Sequence, residues 1–573
     1  MFLSLFLSLL VAIFDAVGLV MLLPLFQLVK GNSLIPGNSL GKLHIVVSVL
    51  MKLGLAYNLV NVMAIIILSF MLKGILRFCD TYYSVYLQEL LLRKLRIGAI
   101  NKLGAYNYKN FSNSNAGHFQ HSLGEEINRA GVACQHFFIA LSNGAMILAC
   151  LVFSLFVNFQ FSLLIIIGSL ITNLGYQLLF KKTKAFSVVF TKKAQDFQSL
   201  LLQQVFHFKY LKATNLMRLY TEKVKTSNSI MEKVCMKMGF YSSLVAAVRE
   251  PLAVLLVISV LFIELTFFKQ PFAALFLSLL FFIRAITYII QLQGSWNSFL
   301  QWYGSIDSYQ SFIAELERGR EASGKITFGV FKNKIALHNV HFFYDVTPII
   351  NGLNLEIYKN ETIALVGKSG SGKTTLVNIV TGLLPLDKGE LLIDGVPIAA
   401  LDIMTYRDRI GYITQDPVIF NDTLYNNITC WSDKSPDNLK KYHAVLGQAS
   451  LHDYEQGLTL REDTLLGTFG SNLSGGEKQR IAIARELFKS IDILVIDEGT
   501  SSLDAETADI INESIANLKD MFTIIIIAHN LCTIKNADRI ILLKHGKIEA
   551  EGSFEFLEAM SGTFKQLIHL QNL

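Results

Sequence analysis

Gly367-Lys368-Ser369-Gly370-Ser371-Gly372-Lys373-Thr374 is the stretch that decides how this chain is read. It fits G-x-x-x-x-G-K-[ST], the phosphate-cradling loop. Before it, Glu361-Thr362-Ile363-Ala364-Leu365-Val366 reads as a short buried strand; after it, Thr375-Leu376-Val377-Asn378-Ile379-Val380 opens a helix. That strand–loop–helix setting is what the motif requires. Glycines let successive backbone N–H groups turn toward phosphate oxygens, and the helix N-terminus adds positive potential. Lys373 is expected to reach the β- and γ-phosphates and Thr374 to hold Mg²⁺, with Thr375 completing the start of the helix. A glycine-rich turn matching by chance is the competing reading. Gly makes up about 7% of ordinary sequence, so the motif alone does not decide; its flanks do.

Outward from the loop, the two halves of the chain differ. At 573 residues the chain exceeds one hydrophobic core. Residues 1 to 300 are dominated by long apolar runs, and the remainder has ordinary globular composition. A mean hydropathy of +0.43 with 52% hydrophobic residues places the first half in a membrane. The net charge of +6 is concentrated in two segments of that half, so it reports topology rather than a nucleic-acid footprint. Six cysteines (Cys79, Cys134, Cys150, Cys235, Cys430, Cys532) contain no C-x-x-C pair, which argues against a metal site or a disulfide framework.

Apolar segments lie at 1–29, 58–80, 133–157, 161–180, 240–266 and 271–296, each near the about 20 residues a span needs. The first lacks the basic lead and cleavage site of a signal peptide, so it is read as a span. Residues 181–239 carry twelve Lys and Arg, and 81–132 carry Arg93, Lys94, Arg96, Lys102, Lys109 and Arg129. The positive-inside rule puts both segments in the cytoplasm. Their spaced apolar residues (Leu90, Leu91, Leu95, then Phe197, Leu200, Leu201) predict helices extending out of the membrane. A charged stretch with Glu315, Glu317, Arg318, Arg320 and Glu321 is read as a connector over 311–333 between a membrane domain at 1–310 and a second domain at 334–573.

The second domain alternates strand and helix patterns, as an α/β ATPase does. Ile493-Leu494-Val495-Ile496-Asp497-Glu498 is a buried strand that delivers two acids at its end. Asp497 is expected to help hold Mg²⁺ and Glu498 to polarise an attacking water. Between loop and acids lies Leu473-Ser474-Gly475-Gly476-Glu477, followed by a helical pattern.

That last motif resembles the signature of ABC-type ATPases, and the family's other elements follow in order over roughly 335–555. Tyr344 stands where the family stacks an aromatic on adenine, Gln415 matches the Q-loop that helps hold the metal, Ser502-Leu503-Asp504 the D-loop, and His529 the switch histidine. The resemblance implies ATP and Mg²⁺ as cofactors. It makes Glu498, His529 and Gln415 the catalytic set. It also implies a site shared between chains, the loop of one holding ATP and Ser474, Gly475 and Gly476 of another capping the γ-phosphate. A homodimer is the simplest such pair and a heterodimer the alternative. One departure bears on coupling: where the family carries T-x-x-G-E-x-G, this chain has Thr464-Leu465-Leu466-Gly467-Thr468-Phe469-Gly470, with Thr468 in place of the acid.

Six spans followed by one such ATPase resemble an exporter-type ABC half-transporter. The fold class expected is thus a multi-domain chain: an all-α six-helix transmembrane domain with long cytoplasmic helical extensions, then an α/β P-loop ATPase domain. The resemblance places it in a bacterial inner membrane with the ATPase in the cytoplasm, moving an amphipathic substrate by alternating access. Short coupling helices are expected near 111–120 and 206–215. A fainter resemblance, carried by Phe14-Asp15-Ala16-Val17-Gly18-Leu19, Asn107-Tyr108-Lys109-Asn110-Phe111, Val245-Ala246-Ala247-Val248-Arg249 and Phe420-Asn421-Asp422-Thr423-Leu424, is to lipid-linked oligosaccharide flippases. A peptide, bacteriocin or multidrug cargo is the alternative. Charges inside spans are costly and so are functional candidates. Asp15, Arg77, Asp80, Arg249, Glu250 and Arg284 are therefore read in two ways: as ion pairs within the bundle, or with Arg77, Arg249 and Arg284 gripping an anionic headgroup.

Overall fold

The structure is a computed structural model that describes residues 2–29, 58–157, 159–263, 265–266, 272–344, 347–497, 513, 515–528 and 534–571. The chain forms two compact units, Met1–Tyr106 with Asn110–Arg320, and Asn107–Lys109 with Glu321–Leu573.

The first unit is built from long helices: α1 (Phe2–Val20), α2 (Leu59–Gly104), α3 (Ile127–Val157), α4 (Phe159–Phe206), α5 (Met217–Ile263) and α6 (Phe272–Arg318). Four of them run 46 to 48 residues. At 1.5 Å per residue that is about 70 Å, more than twice the roughly 30 Å of a hydrocarbon core. These helices carry the predicted extensions without a break. Five helices among the described residues are long and apolar enough to cross a membrane, by length and composition. Their outward stripes suit lipid rather than water. On α2, Met71, Ile75, Phe78 and Tyr82 are exposed one turn apart, and on α4 Leu163, Ile167, Leu170, Leu174 and Leu178 repeat the pattern. Short helices, Tyr108–Asn113, Ala116–His121 and Phe208–Ala213, turn the chain at the ends of the extensions.

Two expectations change. The run 1–29 is not one helix: α1 stops at Val20 and a second helix, Leu22–Val29, begins after Met21. Pro24 has no N–H to offer the Val20 carbonyl, so the ladder breaks there. The connector expected from 311 begins later, because α6 continues to Arg318. Phe312 and Leu316 are buried against Leu92, Ala99, Phe119 and Ile127. Of the charges read as a connector, Glu315, Glu317 and Arg318 belong to this helix, where Lys102 bonds Glu317 (2.5 Å) and His118 faces Glu315 (3.6 Å).

The second unit is layered around a six-stranded sheet of order β10-β9-β3-β8-β7-β6. Its strands are β3 (Thr362–Val366), β6 (Ile410–Ile413), β7 (Ile493–Asp497), β8 (Thr523–Ile527), β9 (Arg539–Lys544) and β10 (Lys547–Gly552). All neighbours pair in parallel except β9 and β10. A parallel sheet is covered on both faces, so its strands read as unbroken apolar runs. Alternation divides them between two cores: Ala364, Leu494, Ile496, Ile524 and Ile540 enter one, Ile363, Leu365, Ile493, Val495 and Ile525 the other. A second, antiparallel sheet of order β2-β1-β4-β5 contains β1 (Lys334–Tyr344), β2 (Thr347–Tyr358), β4 (Lys388–Ile393) and β5 (Val396–Pro397).

Candidate nucleotide site

The parallel strands bring the motifs to one edge. β3 runs into the loop at Gly367, β7 ends at Asp497, β6 leads through Thr414 to Gln415, and β8 ends two residues before position 529. Leu365 and Asp497 both lie opposite Ile527, and Ile413 lies opposite Ile496, so the strand ends are level. Sites in such sheets form beyond the carboxyl ends of the strands. Glu498, the Ser502-Leu503-Asp504 stretch and His529 lie outside the described residues.

The loop is shaped by its glycines. Gly367, Gly370 and Gly372 have φ of +155°, +79° and +103°. A Cβ at Gly367 would stand 2.3 Å from the Leu543 carbonyl oxygen, so only glycine lets the loop pass β9. Gly372 is the left-handed cap of α7 (Lys373–Val380). Lys373 is buried, and its Nζ donates to the Gly367 carbonyl (2.8 Å) and to that of Lys368 (3.3 Å), which holds the ammonium across the loop. Lys368, Ser369 and Gly370 are exposed, while the buried Ser371 hydroxyl has no hydrogen-bond partner among the described residues. An orphaned hydroxyl, exposed amides and an ammonium around one hollow match the needs of phosphate oxygens. Thr374 is exposed and Thr375 half-buried on the first turn of α7. Asp497 is half-buried at the end of its strand, and its charge adds to burial in pushing the neighbouring Tyr412 phenol up. Tyr412 in turn donates to Asn378 of α7 (3.4 Å), so the acid sits on the side of the sheet that α7 covers. One hydroxyl and one carboxylate near a phosphate cradle form the oxygen donor set that Mg²⁺ takes.

Tyr344 closes β1, half-buried, its ring edge-on to Phe342 with centroids 4.9 Å apart. Ser474 caps α8 (Gly475–Phe488) in a capping box: the Glu477 N–H donates to Ser474 Oγ (3.3 Å) and the Ser474 N–H to the Glu477 carboxylate (2.7 Å). The cap fixes Ser474 and leaves its hydroxyl proton free to donate outward. Ser474 and Gly475 are exposed while Gly476 is buried, so this helix start is an open surface of the unit. Thr468 is exposed, next to Phe469 in a left-handed conformation (φ +54°) that Lys478 ties down through the Phe469 carbonyl (3.0 Å).

Sequence reasoning missed the hub that joins these parts. Arg485, buried on α8, donates to the Asn427 carbonyl (2.6 Å), the Asn427 side chain (3.1 Å) and the Val418 carbonyl (2.8 Å). Asn427 in turn donates to the Phe420 carbonyl (3.0 Å) and accepts from the Phe420 N–H (2.9 Å). The segment after Gln415 is thus tied to the signature helix. The only signal in the sequence was an arginine amid Ile481, Ile483 and Leu487 on a buried helix face.

In the helical unit the structure separates the charges that were read together. Asp15, 1% exposed, receives Lys73 (2.5 Å), Arg284 (3.7 Å) and the Tyr288 hydroxyl (3.2 Å). Asp80 accepts from Ser4 (2.6 Å), Ser8 (3.0 Å) and Ser142 (3.4 Å). Arg249 donates to the Ile290 carbonyl (2.9 Å). Arg77 lines a separate cavity. Ion pairing within the bundle therefore describes Asp15 and Arg284, and the three arginines do not converge. Lys73, the nearest cation to Asp15, was not singled out in the sequence.

Comparison with known proteins follows the same division. Residues 350–501 match the ABC transporter family model. The ATP-dependent lipid A-core flippase of Syntrophus aciditrophicus is 42% identical over 238 residues, covering 42% of this chain and 39% of that protein. The flippase of that name from Haemophilus influenzae strain Rd is 30% identical over 368 residues, 64% and 60% of the two chains. The heterocyst differentiation ATP-binding protein HepA of Nostoc is 25% identical over 511 residues, 89% and 84%. The matched part of this chain spans about two fifths of the length of the more similar flippases. A solved structure described as a bacterial Atm1-family ABC exporter with ATP bound superposes with a TM-score of 0.79 at 21% identity, over 99% of this chain and 98% of that one. This chain is a multi-pass membrane protein with a nucleotide-binding ABC transporter domain, and it has the fold of an exporter-type ABC half-transporter.

Proposed function

We propose that the chain is one half of an ATP-driven exporter or flippase that moves an amphipathic, lipid-type substrate across the inner membrane by alternating access. The observation that carries this is the pairing, in one unit, of a phosphate cradle with an exposed, capped helix start at Ser474. One is half of a nucleotide site and the other is the second half, presented outward. Two copies head to tail complete two sites, which makes a homodimer the simplest assembly. The curated relatives named as lipid A-core flippases support a lipid cargo, and a lipid-linked oligosaccharide is the finer candidate.

The residues divide the work. The loop amides of Gly367 to Gly372 and the Lys373 ammonium bind the β- and γ-phosphates. Thr374, Gln415 and Asp497 supply oxygens to Mg²⁺, which when bound neutralises charge on the phosphates. Glu498 orients and polarises water, His529 senses the γ-phosphate, and Asp504 serves as the D-loop acid. Tyr344 stacks on adenine. Ser474, Gly475 and Gly476 of the second copy close over the γ-phosphate, so its loss opens the pair. The basic segments 81–132 and 181–239 support a cytoplasmic ATPase unit.

The test is complementation. Lys373→Ala destroys the loop half of both sites in a homodimer, and Ser474→Arg destroys the capping half of both. Mixed dimers of the two variants keep one intact composite site. Each variant alone is expected to be inactive and the mixture to recover ATPase activity. A mixture as dead as its parents would sink the shared site.

A further inference from the structure

The turn between β9 and β10 lies against the phosphate loop. It is two residues long: His545 and Gly546 have φ of +48° and +72°, and Lys544 pairs with Lys547 across them. Positive φ at both central residues gives the hairpin turn whose twist matches its strands. The turn is bonded on two sides. The Gly546 N–H donates to the Ser371 carbonyl (3.2 Å), and the Gly546 carbonyl accepts from the Asn351 N–H of β2 (3.0 Å). Space is as tight as the bonding. A Cβ at Gly546 would stand 2.2 Å from the Ile349 carbonyl oxygen; one at Gly372 would stand 3.2 Å from that same oxygen and 2.9 Å from Ile350 Cδ1. The start of β2 is thus wedged between hairpin and loop.

We propose that Gly546 is a positioning residue for nucleotide binding: its N–H holds the Ser371–Gly372 peptide in the orientation that aims the Gly372 N–H at a phosphate oxygen. The inference rests on reading residues 367–374 as the phosphate cradle, and it extends that site to a residue far along the chain that the motif does not contain. The argument is peptide geometry. In a planar trans peptide the C=O and the N–H point opposite ways. Drawing the Ser371 carbonyl back to the hairpin therefore turns the Gly372 N–H away from it. Ser371 has no second amide to offer, because its own N–H is spent on the Lys368 carbonyl (3.1 Å). Gly372 caps α7, so its N–H joins the helix-start amides to which anions bind.

The peptide needs such a hold. Gly372 sits at φ +103° with no Cβ, and glycine crosses between the two signs of φ at little cost. A flip of the peptide before it would present the Ser371 carbonyl to the phosphate in place of an N–H, replacing attraction by repulsion. The bond from Gly546 opposes that flip, and the wedge of β2 keeps the hairpin where the bond can form.

A second hairpin supplies the control. The turn between β4 and β5 has Asp394 and Gly395 at φ +50° and +81°, with Ile393 paired to Val396, and a Cβ at Gly395 meets nothing within 4 Å. Alanine at either glycine carries the strain of a left-handed side chain, but only Gly546→Ala also drives its hairpin off the Ile349 backbone. The test uses the full chain in detergent, titrated with ATP and Mg²⁺ and melted with and without them. Gly546→Ala is expected to raise the Kd for ATP about tenfold, the worth of one hydrogen bond to a charged oxygen. It should also shrink the rise in melting temperature that ATP produces. Gly395→Ala is expected to lower the melting temperature without nucleotide and to leave the Kd as it was. If Gly546→Ala lowers only that melting temperature, the hairpin is structural and the inference falls. Equal loss of affinity in Gly395→Ala would trace the effect to general destabilisation, and the inference falls again. Should Gly546→Ala not fold, amide hydrogen exchange on the unaltered chain decides. ATP should slow exchange at Gly546 and not at Gly395; no slowing at Gly546, or equal slowing at both, overturns the proposal. If the unaltered chain itself binds no ATP, the nucleotide reading fails and takes the inference with it.

Discussion

The two units differ in where their apolar and charged groups lie. In the nucleotide-binding unit the sheet strands are apolar: β3 and β8 are buried at every position. Its buried Arg485 is saturated with carbonyl and amide oxygens. In the helical unit long apolar stripes face outward, and the ionisable Asp15 and Glu126 are buried inside among apolar side chains such as Phe281 and Phe282. A unit folded in water is held by what it hides, and chemistry is confined to its strand ends. A unit in lipid gains little by hiding leucine, so helix contact falls to small, polar and charged groups, and the same groups serve the cargo.

The largest effect that would break this contrast is at Asp15. Asp15→Ala leaves Lys73 and Arg284 facing each other without a counter-ion, and the expected cost is about 3–5 kcal/mol, read as a loss of thermal stability in detergent. Replacing Asp15 and Lys73 together by Leu and Met should recover most of it. Equal damage from the single and double variants would show that the site is not held by that pair. In the ATPase unit, Lys373→Ala is expected to lower ATP turnover about 10²- to 10³-fold with little change in melting temperature. A large fall in stability would mean that the lysine, bonded to its own loop carbonyls, is chiefly structural.

How much was legible follows from the same contrast. The nucleotide site was readable because its parts are local: a loop, a strand end and a helix cap each occupy a few consecutive residues with fixed spacing. Gly372 is a left-handed cap, Ser474 an N-cap and Asp497 a strand end. The helical unit was readable only as a set of spans. Which charges meet depends on pairings between helices 58 or 273 residues apart, such as Lys73 with Asp15 and Tyr288 with Asp15. No spacing in one sequence encodes those. The connector was misjudged for a related reason: a run of charges marks a solvated face, and here that face belongs to a helix whose other side packs Phe312 and Leu316.

A smaller effect concerns the extension of α3, ahead of the apolar run at 133–157. There a π-helical turn, Ser122–Glu126, buries His121 and Glu126 with His121 Nδ1 3.3 Å from the carboxylate. Burial pushes Glu126 up to about 7, partly offset by Ser305 and Arg129, and lowers His121 to about 4, with Arg129 acting in the same direction and Glu125 against it. Between the ordinary carboxyl value of 4.5 and about 7, the folded state holds a proton on Glu126 that the unfolded state has lost, so this group costs stability as pH rises. His121 acts oppositely between about 4 and 6.5: the unfolded state binds the extra proton, so stability is lost as pH falls. The slopes cancel between 4.5 and 6.5, and above that Glu126 alone remains. Glu126→Gln is therefore expected to stabilise the protein by roughly 3 kcal/mol at pH 8 and by roughly 1 kcal/mol at pH 5.5. A pH-independent difference would show that the carboxyl titrates normally.

The smallest effect sharpens the role of Ser474. As a cap alone, Ser474→Ala should cost about 1 kcal/mol and Ser474→Gly only a few tenths. If the hydroxyl also serves a nucleotide across a dimer, both variants should lose ATPase activity alike despite that difference in stability. Activity that tracks stability would assign the serine to the helix and nothing more.

The central claim is that this nucleotide site drives lipid across a membrane. The direct measurement is translocation of a fluorescent headgroup-labelled lipid between leaflets of proteoliposomes, with ATP, without it, and with Lys373→Ala. The account predicts movement that requires ATP and is absent in the variant. Brisk ATP hydrolysis with no lipid movement, or movement indifferent to ATP and to Lys373, would contradict it.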